Sequence, residues 1–473
     1  MSPASSSRLS LALACGGSFL AFLDVTVTNL AVPDVAVDFR VGVTSVSWVV
    51  TLYTILFAGL LAPAGRLADV VGRGRLFVVG VAAFTAASAL AAVAPTFGVL
   101  LVARVVQGIG AALLVPASLA LVLADTPPAR RPGAISLWSA AAALAAAAGP
   151  ALGGVLVDAF GWRALFCINV PLGAWLAYRG WRLPAGARRG GRVPDVLGSG
   201  LLTTGVVLLV LAVTQGPSWG WADPATVGCL LGAIVAGAAA LVRSSRHVSP
   251  AIEIGLWKNP TYAAANGVSL LFGVGLYAAL LLGVLFLVQV WGYSELQAGL
   301  AMTPGAVASA ALGVLVGRAA RKPSARTLVV AGGLLVAATS AALALWLPAS
   351  PHFVTAWLPG GLGLGLGVGA VSIGVSSAAA LSVAPQRFAA ATGLNIAARQ
   401  VGGALGVAVL AVMLDGRTAA DGAEPFLLVY WMTAGVCAAA ALVGLRLVLP
   451  VPTASAPAPA PAPAAALSAE GSA

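Results

Sequence analysis

Long apolar stretches alternate with short polar breaks along this chain, and fourteen stretches reach the length of a bilayer crossing: 9–31, 45–63, 76–94, 98–123, 134–157, 164–181, 196–214, 225–242, 261–291, 298–317, 327–347, 353–380, 389–414 and 426–448. A hydrocarbon core about 30 Å thick asks for roughly 20 helical residues. Backbone groups in lipid must be paired within the chain, which leaves helices or a closed barrel. The stretches lack the alternation of lipid-facing strands, so each predicts a helix. Glycine and proline inside them are no objection, because membrane helices carry both and small residues let helices approach closely. The first stretch follows Arg8 as a secretory signal core would, but it runs unbroken to Ala31. A signal core is only roughly 7 to 15 residues, so this stretch predicts a first spanning helix.

Charge placement tests the count. With the N-terminus placed in the cytoplasm, 20 of the 25 Lys and Arg residues fall in cytoplasmic breaks. Only Arg40, Arg163 and Arg417 fall on the other side, and Arg104 and Arg399 lie inside stretches. Basic residues collect on the cytoplasmic side of membrane proteins. One missed or invented crossing would invert every later break, so the bias predicts an even number of crossings and two cytoplasmic termini. Trp162, Trp181, Trp219, Trp221, Trp257, Trp291 and Trp346 sit near stretch ends, as interfacial belts require.

Composition then excludes a soluble protein. The chain is 60% hydrophobic and 8% charged, with a mean hydropathy of +1.01, whereas soluble domains carry about 25% charged residues. The net charge of +11 comes from clusters between apolar runs, without the basic stripe and interleaved aromatics of a nucleic-acid binder. Cys15, Cys167, Cys229 and Cys437 lie far apart in apolar segments and suit small hydrophobes better than disulfides or a metal site. No cofactor is expected. The domain plan is a six-helix bundle over 1–182, a linker and two extra helices over 183–260, a second six-helix bundle over 261–449, and an extended Ala/Pro-rich cytoplasmic tail over 450–473.

Several segments resemble a known family. Gly65-Arg66-Leu67-Ala68-Asp69-Val70-Val71-Gly72-Arg73-Gly74-Arg75 resembles the loop signature of the major facilitator superfamily, departing from it at Val70 and Gly74, where basic residues are usual. Leu23-Asp24-Val25-Thr26-Val27-Thr28-Asn29-Leu30-Ala31-Val32-Pro33 resembles the first-helix motif of that family's fourteen-helix drug:proton antiporter branch. Arg104, Gln107, Gly108 and Gly110 in the fourth stretch match the family pattern. Gly149-Pro150-Ala151-Leu152-Gly153-Gly154 in the fifth is similar to the antiporter motif, with Ala145 where a glycine is often found. Trp162-Arg163, Ile168-Asn169-Val170-Pro171, Ala298-Gly299 with Pro304, and Gly393-Leu394-Asn395 with Arg399-Gln400 extend the similarity over nearly the whole chain. The resemblance implies an all-α major facilitator fold: two six-helix bundles plus two extra helices, fourteen in all, with the substrate site between the bundles near the membrane midplane.

Chemistry must come from Asp24, Arg104 and Arg399, the ionisable residues within the stretches. A charge at mid-bilayer costs about 2.5 to 3.5 kcal/mol, so such residues face a cavity or a partner. At 1.5 Å per residue, Asp24 lies roughly 21 Å from the cytoplasmic end of its helix and Arg104 roughly 9 Å from the outer end of its own, which is one level in a 30 Å core. Asp24 is therefore expected to carry the proton, with burial favouring the protonated acid and Arg104 the charged one. The competing reading of Arg104 is a structural hub holding the first helix. Gly65, Asp69, Gly72 and Arg73, with Gly149, Pro150, Gly153 and Gly154, are expected to govern conformational change. Asn29, Tyr53, Gln107, Trp138, Gln289, Asn395 and Arg399 are candidate cavity lining, although single polar residues on membrane helices are more often interhelical contacts.

Rival classes lack their residues. No G-x-x-x-x-G-K-[ST] loop exists for an ATP-driven pump, and His247 and His352 fall on opposite sides, unlike a metalloprotease pair. The expectation is a monomeric, non-enzymatic, multi-pass protein of a bacterial cytoplasmic membrane, whose partners are the lipid bilayer, protons and a small-molecule substrate. By resemblance it exports drug-like or specialised metabolites; a lipid translocase or a proton-coupled importer on the same fold is the alternative, since architecture does not fix direction.

Overall fold

The computed structural model describes residues 3–182, 194–320, 323–414 and 423–448. Among these residues it contains sixteen α-helices and no strand. They are α1 (Pro3–Phe39), α2 (Val43–Val46), α3 (Trp48–Val71), α4 (Arg73–Ala92), α5 (Phe97–Asp125), α6 (Arg131–Phe160), α7 (Ala164–Cys167), α8 (Asn169–Trp181), α9 (Val196–Trp219), α10 (Pro224–Arg246), α11 (Pro260–Gln289), α12 (Glu295–Arg318), α13 (Ala325–Trp346), α14 (Leu358–Leu381), α15 (Phe388–Leu414) and α16 (Glu424–Gly444). Twelve are long and apolar enough to cross a membrane. Of the fourteen expected crossings, 134–157 and 164–181 are outside that set. The first lies in the thirty-residue helix α6. The second is divided at Ile168 into α7 and α8, of 4 and 13 residues. Pro171 has no N–H to return to the Cys167 carbonyl, which accounts for the break. Most of the basic linker and the Ala/Pro tail from 450 onward lie outside the described residues.

Short connections demand clean helix starts, and local side chains supply them. Thr96, Asp223, Asn259, Ser294 and Ser324 each accept a hydrogen bond from a first-turn N–H, and Gln297 completes a capping box with Ser294. Between α3 and α4 the chain turns on Gly72 at φ 114°, a conformation that a side chain would strain.

Pairing of helices repeats along the chain. In the first half α1 packs on α6 and α5, α3 on α5, and α4 on α5 and α8. In the second, α11 packs on α15 and α14, α12 on α14, and α13 on α14 and α16. The two halves meet where α3 crosses α15 and where α6 crosses α12. The hairpin α9–α10 lies beside this seam, α9 against both α3 and α15, through Ile55, Ala58 and Val210 with Val401 and Ala404. The main apolar cluster of the first half takes in Phe388, Ala389, Ile396 and Ala397 of α15. The seam is therefore closed on the face that carries the Gly65–Arg75 turn.

Candidate functional site

Asp24 and Arg104 are the centre of a buried polar network in the first half. Their side chains are 0% and 1% exposed, and Arg104 Nη1 donates to Asp24 Oδ2 at 2.6 Å. Asp24 Oδ1 accepts from Asn169 Nδ2 at 2.9 Å and from Gln107 Nε2 at 3.3 Å. Arg104 also donates to the Val49 carbonyl at 2.7 Å and to Gln107 Oε1 at 2.9 Å. Its guanidinium lies 4.5 Å from the centre of the Tyr53 ring and 5.8 Å from that of Phe166. Tyr53 donates its hydroxyl to the Ala21 carbonyl at 3.1 Å, and Gln107 reaches Ser88 Oγ at 2.8 Å. The carboxylate of α1 is thus held from α5 and α8, and α3 and α4 join the same network through Val49, Tyr53 and Ser88. The break before Asn169 places its amide in reach of α1. Breaking a buried pair by removing one partner costs about 3 to 5 kcal/mol, because the charge left behind has no solvent. The depth argument put Asp24 and Arg104 at one level, and the structure joins them directly.

A second constellation closes the seam. The Asp69 carboxylate accepts the backbone N–H of Ala390 at 2.9 Å and of Ala389 at 3.4 Å, at the N-terminal end of α15. Helix N-termini carry partial positive charge and unpaired N–H groups, so an anion is bound there by both. Arg73 pairs with Asp69 at 2.9 Å, donates to the carbonyls of Ala120 and Pro385, and lies over the Phe388 ring. Below this, Glu253 bridges the halves by pairing with Arg66 of α3 and with Arg387 Nε at 2.8 Å, just before α15. Two glycines allow the backbones to touch: a Cβ on Gly65 would lie 2.2 Å from the Ala389 carbonyl oxygen, and one on Gly393 would lie 2.4 Å from that of Leu61.

The Gly149–Gly154 segment works at the other crossing. A Cβ on Gly149 would meet Thr26 Oγ1 of α1 at 2.0 Å, and one on Gly154 would meet Leu296 of α12 in the opposite half at 2.9 Å. Gly153 is buried on the same helix, and the Pro150 side chain lies outside those described.

The candidate cavity residues divide. Tyr53 and Gln107 belong to the Asp24 network. Arg399, 8% exposed, lies in α15 beside Gln400, whose Oε1 accepts from the Tyr277 hydroxyl of α11 at 2.5 Å. Trp138 is buried as a bridge from α6 to Ser118 of α5, and Asn395 ties α15 to the Ala265 carbonyl of α11. Asn29 is exposed and bonds back to Val25, and Gln289 is exposed at the end of α11, so neither joins the network. Asn169, Ser88 and Glu253 were missed. Asn169 stood inside a motif already noticed, and Glu253 stood in a connection that no motif marked.

A repeated pairing of six helices around a seam, with the ionisable pair inside one half, defines a membrane carrier of the facilitator type. The chain belongs to the Major Facilitator Superfamily, whose family model matches residues 14–407. It is 34% identical over 401 residues to the multidrug resistance protein Stp of Mycobacterium tuberculosis, covering 84% of this chain and 74% of that protein. It is 34% identical to the cephamycin export protein CmcT of Amycolatopsis lactamdurans, covering 89% and 88%, and 36% identical to the puromycin resistance protein pur8 of Streptomyces alboniger, covering 87% and 82%. Its fold matches that of the human organic anion transporter MFSD10 with a TM-score of 0.64 at 15% identity, covering 93% of this chain and 99% of that one.

Proposed function

We propose that this multi-pass membrane protein exports drug-like or specialised-metabolite small molecules in exchange for protons by alternating access. The observation that carries the reading is the Asp24–Arg104 pair, fully buried among the apolar helices of the first half. Proton arrival at Asp24 neutralises the acid and releases Arg104 to its other acceptors; proton departure restores the pair. Each exchange changes the charge balance inside the first half, which is the differential interaction that a two-state transport cycle needs. The relatives named for multidrug resistance, cephamycin export and puromycin resistance support export of such compounds. One charge moved through 100 mV supplies about 2.3 kcal/mol, enough for roughly a fifty-fold solute gradient.

The same reading takes α6 and the kinked pair α7–α8 as crossings, which makes fourteen. Ile168 keeps helical angles, φ −62° and ψ −28°, so 164–181 can serve as one bent helix. It places the Gly65–Arg75 face and both termini in the cytoplasm, treats 1–182 and 261–449 as the moving bundles of a monomer, and involves no chemical change in the cargo. Proteoliposomes holding the full chain test it: an imposed pH gradient should drive a drug-like fluorescent probe, carboxyfluorescein or ethidium, across the membrane, and Asp24→Asn should abolish the dependence on the gradient. Proton-driven movement that survives in Asp24→Asn sinks the assignment, and accumulation of cargo by intact cells sinks the direction.

A further inference from the structure

The two buried arginines of the membrane interior are held very differently. Arg104 has a carboxylate, a backbone carbonyl, an amide oxygen and an aromatic face. Arg399 has no carboxylate: among the described residues every ion pair belongs to Arg66, Arg73, Arg104, Arg163, Arg243 or Arg387. Yet it lies about 17 Å along α15 from the closed face, at mid-core depth, and is 8% exposed. Its backbone is fixed, since a Cβ on Gly273 of α11 would stand 2.2 Å from the Arg399 carbonyl oxygen. Beside it Tyr277 donates to Gln400 Oε1, with its ring against Gly403. That bond uses one of the two lone pairs of Gln400 Oε1 and leaves its amide N–H groups for another partner. Tyr277 is within electrostatic reach of Arg399 and, across the seam, of Tyr53 on the wall of the Asp24 network.

We propose that Arg399, Gln400 and Tyr277 form the seat for an acidic group on the cargo, so that the preferred substrates are amphipathic organic acids carried as anions. The positive Arg399 guanidinium fork beside the Gln400 amide is rich in donors, which matches a carboxylate or an ionised phenol better than a cation. The seat belongs to the second half and the proton site to the first, with the seam between them. The inference rests on the transporter reading and adds the charge of what is transported.

The test uses the purified full chain in detergent with two planar aromatic probes, carboxyfluorescein as the anion and ethidium as the cation, and equilibrium binding read by fluorescence anisotropy. The expected result is saturable binding of carboxyfluorescein to the parent chain, weakened about tenfold by Arg399→Gln, as loss of a charge-assisted pair implies, with Arg399→Lys keeping most of the affinity. Ethidium binding should be unchanged. Tyr277→Phe removes only the hydroxyl and keeps the ring on Gly403, so it probes the seat even where the arginine variant fails to fold; the anion alone should weaken. No saturable anion binding, or equal losses for both probes, overturns the proposal. Because binding needs no gradient, anion binding without pH-driven movement in proteoliposomes counts against the transport reading and leaves the seat standing.

Discussion

Ala390 gives its backbone N–H to the carboxylate of Asp69 at 2.9 Å, joining the last turn of α3 to the first turn of α15 across the seam. Asp69→Asn keeps an acceptor but removes the charge that the helix end and Arg73 attract. The contact should weaken by about 1 kcal/mol, which moves a two-state equilibrium about fivefold toward the open face. A cysteine placed at Leu394, in the lining of the gap beside Glu253, should then react faster with a maleimide in a chain otherwise free of cysteine. An unchanged rate means that Asp69 does not hold the seam.

Gly65 tests the same closure by shape instead of charge. Its missing Cβ would stand 2.2 Å from a backbone oxygen of Ala389, which cannot swing aside. Gly65→Ala should therefore force α3 and α15 apart and lower transport by about tenfold or more, given that overpacking costs about 1 to 3 kcal/mol. Gly74→Ala is the control, because nothing lies within 4 Å of a Cβ there. Equal behaviour of the two variants would show that the close crossing is not used in the cycle.

Acid should loosen the base of the extra hairpin. Asp195, just before α9, is gripped by Arg243 of α10 at 2.5 and 2.9 Å, and the guanidinium holds its carboxyl below the ordinary range. A carboxyl depressed in the folded state contributes stability that is full above its unfolded value, about 3.9, and is lost as pH falls below it. Hydrogen exchange at the Asp195 amide, which donates to the Ser249 carbonyl at 2.9 Å, should stay protected from pH 8 down to about 5 and lose protection below about 4. In Asp195→Asn that acid dependence should vanish. A parent chain with no such loss shows that the pair does not anchor the hairpin.

Much of this was legible because lipid imposes a simple rule. Apolar runs had to be helices, and twelve of the fourteen coincide with helices long and apolar enough to cross a membrane. The Asp24–Arg104 pairing followed from depth alone, since a carboxylate and a guanidinium at one level in hydrocarbon have few other partners. Rotation about each helix axis was not legible: Asn29 lies five residues after Asp24, and the 100° step per residue turns it away from the Asp24 network. Asn169 was hidden because its reach depends on the break at Ile168, a tertiary feature. Glu253 was hidden because its two partners, Arg66 and Arg387, are brought together only when the halves close.

The pair itself allows the sharpest test, because stability and coupling should separate in a double-mutant cycle. Arg104→Gln leaves the Asp24 charge buried with only the amides of Gln107 and Asn169 as donors, and should cost about 3 to 5 kcal/mol. Asp24→Asn leaves Arg104 on the Val49 carbonyl, Gln107 and the Tyr53 ring, so its cost should be smaller. The double variant Asp24→Asn/Arg104→Gln carries no buried charge and should regain most of the lost stability in thermal unfolding. Coupling should not return with it, since no group remains at the site to take a proton. If the double variant is as stable as the parent and still drives cargo with a pH gradient, the pair is a structural hub and the proton is carried elsewhere. If stability instead falls additively, the two residues do not interact as the 2.6 Å contact implies.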